Sequence, residues 1–168
     1  MGRRILGSAV IAIFAGAVMA VPAAAQRGGM MGDAAHAGDM QLFHQLFQHR
    51  AEITRQVTNR ADGIETITES TNPEVTRLLQ AHVSAMLARV EEKRPIHQRD
   101  PLFVELFRYA DRVVAKPERT ANGVRVVETS TDPYVVKLLQ AHAEVVSAFL
   151  ANGQAEMMKN HPLPPREP

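Results

Sequence analysis

The sequence has no cysteine and no tryptophan, and aromatic residues make up only 5 % of its 168 positions. Without cysteine there is no disulfide framework, no thiolate metal site and no thiol nucleophile, so stability must rest on an apolar core or on a bound group. Charge of one sign is also missing, since 19 basic and 18 acidic side chains leave a formal charge of +1. A phosphate-binding surface needs a basic excess gathered on one face, and its absence argues against nucleic acid as a partner. Equally absent are nucleophile elbows, zinc-protease helices, Cys-x-x-Cys pairs, phosphate loops, dinucleotide fingerprints and calcium loops. This weakens an enzyme reading without excluding it, because catalytic groups can converge from distant positions. At 45 % hydrophobic and 22 % charged residues, the bulk of the chain is globular in composition.

Residues 1–25 combine a basic start (Arg3, Arg4), an apolar run from Ile5 to Val21 and Ala23-Ala24-Ala25 before Gln26. This is the three-part plan of a secretory signal with A-x-A cleavage, which predicts a periplasmic or secreted protein beginning at Gln26. Losing Arg3 and Arg4 moves the balance from 19 against 18 to 17 against 18. No later run is apolar for long enough to suggest a membrane span after cleavage. An uncleaved anchor is the alternative for this run, and Arg3-Arg4 leaves twin-arginine export open beside ordinary secretion.

Laying the sequence on itself at an offset of 60 aligns residues 42–101 with 102–161 without a gap. Leu42-Phe43 and Leu46-Phe47 recur as Leu102-Phe103 and Leu106-Phe107, and Leu78-Leu79-Gln80-Ala81-His82 recurs letter for letter as Leu138-Leu139-Gln140-Ala141-His142. Each copy opens with an amphipathic helix, near 40–51 and 101–112, on apolar residues at i, i+1, i+4 and i+5. Two β-rich stretches follow in each, 53–58 with 64–69 and 113–119 with 124–129, split by Asp62-Gly63 and Asn122-Gly123. Such dipeptides tolerate the positive φ angles of a type I′ turn, so both pairs read as hairpins. Asn72-Pro73 and Asp132-Pro133 then supply a capping side chain and a proline at the first helical position. Long helices are predicted over 73–92 and 133–151, the second stopped by Asn152-Gly153. Pro117 cannot donate to a ladder and assigns its strand to a sheet edge.

The predicted fold is α+β, a tandem duplication of an α-β-β-α unit. Its inner strands pair about a pseudo-twofold axis into a four-stranded antiparallel sheet, with helices packed on one face. The expected organisation is a signal over 1–25, a flexible Gly- and Met-rich segment over 26–40, repeats over 41–101 and 102–161, and a proline-rich tail over 162–168.

Two groups of side chains carry candidate chemistry. Val75, Leu79, His82 and Met86 form one stripe at helical spacing, and Val135, Leu139, His142 and Val146 form its copy. A buried imidazole without a partner costs about 1 to 3 kcal/mol, so each His is expected to be hydrogen-bonded, ligated or both. If the helices lie side by side, His82 and His142 offer two neutral nitrogens to one metal or to haem iron. The structural alternative is that each bonds a carbonyl or strand threonine beneath its own hairpin. The second group lies at the ends: Met30, Met31, His36 and Met40, with Met157, Met158 and His161. Thioether sulfur with imidazole suits Cu(I), whereas the bland reading makes these methionines core caps and tail residues. His44 is expected to be solvated, and His97 to be an ordinary linker residue. The expected function is an exported binding protein for a transition metal, copper first, or haem, acting by capture rather than turnover. The alternative is a metal-free module that binds a periplasmic protein or ligand on its sheet, with structural histidines.

Overall fold

The computed structural model describes residues 34–166. The expected signal segment, Met30 and Met31 lie outside them. Helix α1 (Ala34–Gln48) leads through a single 3-10 turn into strands β1 (Thr54–Arg60) and β2 (Gly63–Glu69), then helix α2 (Pro73–Glu91). After a loop the same order follows: α3 (Pro101–Arg108), a 3-10 turn, β3 (Val114–Arg119), β4 (Gly123–Thr129) and α4 (Pro133–Asn152), closed by the short α5 (Gln154–Met157). The chain is α+β, with one antiparallel sheet in the order β1-β2-β4-β3. Pro117 sits on the edge strand β3, as its missing N–H requires.

The helix starts share one device. Asn72, Asp100 and Asp132 each accept a hydrogen bond from the backbone N–H two residues on, at 2.9, 3.0 and 2.9 Å, with proline next in sequence. Replacing such a cap by alanine costs about 1 kcal/mol. Helix α4 stops at Gly153, whose φ of +63° suits glycine and whose N–H reaches Phe149 O at 2.9 Å.

The hairpins form as expected, but their turns are not type I′. Arg60 pairs with Gly63, which leaves Ala61 and Asp62 as the turn, and among the described non-glycine residues only Lys93 and His97 have positive φ. The glycines serve the contact between the inner strands instead. A Cβ on Gly63 would stand 1.9 Å from Glu128 O, and one on Gly123 would stand 2.0 Å from Thr68 O. Only glycine permits β2 and β4 to approach this closely at both ends of their register, Gly63↔Thr129 and Glu69↔Gly123.

The helices cross between the hairpins. α2 packs mainly on β4 and α4 mainly on β2. Gln80 Nε2 donates to Gly123 O at 3.1 Å, and Gln140 Nε2 to Arg60 O at 3.2 Å. The core gathers Val75 and Leu79 of α2, Val135, Leu138, Leu139 and Ala143 of α4, and Ile64 of β2. α4 is long and apolar enough to cross a membrane by composition, yet these four side chains are fully or almost fully buried within the protein. Helix α1 reaches further back than its periodicity predicts. Asp39, in a stretch that composition reads as mobile, forms an ion pair with Arg89, which is buried in α2.

Candidate functional site

His82 and His142 are brought to the same place. Both line a half-open groove of about 780 Å³ between the long helices, under the loop that joins α2 to α3. The helical spacing that puts His82 on the Val75–Leu79–Met86 stripe turns it toward Phe43, ring centroids 6.0 Å apart. His142 meets Phe103 edge-on at 5.0 Å. Phe149 stands between these pairs, 6.4 Å from Phe43 and 6.0 Å from Phe103. The groove is therefore an aromatic slot with an imidazole toward each side.

Neither histidine has the carbonyl or threonine partner that a structural role predicts for its Nδ1. In both rings that nitrogen is sealed from solvent and has no hydrogen-bond partner among the described residues. Burial pushes both pKa values down to about 4, the nearby Asp39 charge opposing it at His82 and Arg55 adding to it at His142. Each imidazole is thus neutral at pH 7, the form that ligates a metal.

The loop supplies a third histidine that its sequence did not single out. His97 adopts φ +56°, strained for a residue with a Cβ. Its ring lies edge-on to Phe103 at 4.8 Å, and its sealed Nε2 is 3.9 Å from Asp100 Oδ2, beyond hydrogen-bond reach. Burial lowers its pKa against the pull of Asp100. A position in a charged, proline-containing linker gives no periodicity from which burial is read.

Among the terminal candidates, His36, Met40 and Met157 also line the groove. Met158 is exposed, its sulfur accepting a long contact from Arg99 at 3.8 Å. His161 is fully engaged: Nδ1 lies 2.5 Å from Asp100 Oδ2, and Nε2 lies 3.1 Å from Glu156 Oε1. Burial opposes its protonation, but the two carboxylates outweigh it and raise its pKa. His44 is exposed, as expected. Among the described residues no three His, Asp or Glu side chains are grouped closely enough to hold a metal ion.

The mouth of the groove is basic, with Lys93 and Arg99 exposed there. No family model, curated protein or solved structure matches the chain.

Proposed function

We propose that this protein binds haem in the groove between α2 and α4, with His82 and His142 as the iron-ligating side chains. The observation that carries the reading is the pair of neutral imidazoles on the walls of one aromatic slot. A volume of about 780 Å³ lies in the range of cofactor sites, about 300–1,000 Å³, and far exceeds the needs of a bare ion. Lys93 and Arg99 at the mouth complement the carboxylates of a porphyrin. Phe43, Phe103 and Phe149 supply its apolar bed. The role proposed is capture or hand-over.

The same reading takes the chain as an exported, doubled αββα unit with pseudo-twofold symmetry. The signal-like residues 1–25 support export. The gap-free offset of 60 supports the doubling, as does a sheet register in which Gly63↔Thr129 mirrors Glu69↔Gly123.

Copper remains a second reading on one observation, the convergence of Met40, Met86 and Met157 on the same groove as His36, His82, His97 and His142. Titrating the purified chain, residues 26–168, with haemin and separately with Cu(I) decides between them. The expected result is a stoichiometric Soret band that the His82→Ala/His142→Ala double variant loses, with no stoichiometric Cu(I) uptake. Failure of the wild type to develop that band, or a band unchanged in the double variant, overturns the haem assignment. Stoichiometric Cu(I) without haem uptake replaces it with copper.

A further inference from the structure

Behind the histidine pair, on the sheet side, lies a second chamber of about 190 Å³. It shares Phe43, His82, Met86, His142, Val146 and Phe149 with the groove, and its floor is formed by Arg55, Thr66, Thr68 and Glu128. Two of these floor residues break the internal alignment. At the offset of 60, Arg55 falls opposite Ala115 and Glu128 opposite Thr68, whereas Phe43/Phe103 and His82/His142 match. Charge therefore enters beneath the histidines at positions where the other half of the chain manages with small or neutral side chains.

The geometry leaves that charge incompletely used. Arg55 Nη1 donates to Thr68 Oγ1 at 2.7 Å, but its Nε is sealed from solvent with no hydrogen-bond partner among the described residues. The Nδ1 atoms of His82 and His142 share this condition. Burial pulls the Arg55 pKa down against the pull of Glu128, and pushes that of Glu128 up against the pull of Arg55, so the two groups interact as charges. Arg55, His82 and His142, each carrying one of these unpartnered nitrogens, line the chamber together with Glu128. An apolar guest leaves the guanidinium unsatisfied and a cation meets its charge, whereas an anion can accept from Arg55 and from an imidazole whose proton lies on Nδ1.

We propose that the inner chamber binds a small monoanion, of the size of azide, nitrite or formate, through Arg55 with the Nδ1 of His82 or His142 as the second donor. This site does not depend on haem, and binding is expected of the haem-free protein. Calorimetric titration of that protein with sodium azide, sodium nitrite and sodium formate, in a sulfate buffer without chloride, tests it. The expected result is saturable one-to-one binding of at least one probe. Arg55→Met is expected to weaken it about tenfold to a hundredfold, and Glu128→Gln to bind at least as tightly as the wild type. No saturable binding of any probe up to about 10 mM overturns the proposal, as does a Glu128→Gln variant that binds tenfold more weakly. If Arg55→Met does not fold, Arg55→Lys keeps the charge without the Nε donor. Weaker anion binding at an unchanged melting temperature then supports the site, and unchanged binding overturns it. Haem uptake by the same variants, expected at the wild-type level because Arg55 does not line the groove, separates failure of this chamber from failure of the haem reading.

Discussion

At His161 both ring nitrogens face carboxylates, whereas at His82 and His142 the Nδ1 atom has none. The pKa shifts run in opposite directions, up at His161 and down to about 4 at the pair. Around His161 the protein completes its own bonding. Asp100 Oδ1 accepts from the backbone N–H groups of Leu102 and His161, while its Oδ2 takes the ring. Around the pair, bonding is left for something else to complete. What distinguishes His161 from the pair is therefore, beside its lesser burial, that the surrounding residues have already used its ring nitrogens.

The largest expected effect breaks the first side of this contrast. Asp100→Ala removes the α3 cap and the charge opposite His161, leaving buried groups unpaired. A loss of about 3–5 kcal/mol in urea unfolding is expected, while any protein that still folds keeps its haem uptake. Acid acts on the other side. Because the folded pKa values of His82 and His142 lie below the unfolded 6.5, the unfolded state binds more protons between the two. Stability is fully present above pH 6.5 and declines toward pH 4, by up to about 3 kcal/mol per ring. His161 contributes with opposite sign: its stabilisation is present below its unfolded pKa and is lost as pH rises through the raised folded value. Urea midpoints measured across pH should show both limbs, and His161→Gln should abolish only the alkaline one.

Smaller effects sharpen the contrast. Replacing His82 or His142 by Leu removes an unsatisfied polar atom from an apolar wall. The haem-free protein is expected to stay within about 1 kcal/mol of wild type, or to gain stability, with the Soret band reduced. At the bottom of the scale, Met158→Ala changes an exposed side chain and should alter stability by less than about 0.5 kcal/mol, with haem uptake unchanged.

The fold was largely legible because its signals are local. Alternation and Gly-containing turns marked four strands, Asn-Pro and Asp-Pro marked both long helices, and Pro117 marked the edge. The turn type was misread because Gly63 and Gly123 answer to carbonyls on a strand sixty residues away, which no dipeptide preference contains. The groove was legible where its lining lies on a periodic stripe, as at His82 and His142. It was not legible at His97, carried by an aperiodic loop, nor at Arg55 and Glu128. On an alternating strand those two are ordinary polar positions until helices from elsewhere cover that face. Met157 and His161, neighbours in one cluster by sequence, part company in space, one in the groove and one in a carboxylate clamp.

The crossing of the helices, α2 over β4 and α4 over β2, has a consequence for topology. Each hairpin is roofed chiefly by the helix that belongs to the other, so neither half of the chain owns a finished interior. If the loop between α2 and α3 were nicked, the two fragments would remain interlocked as partners, and a guest lodged between His82 and His142 would hold them together as a pin holds a hinge.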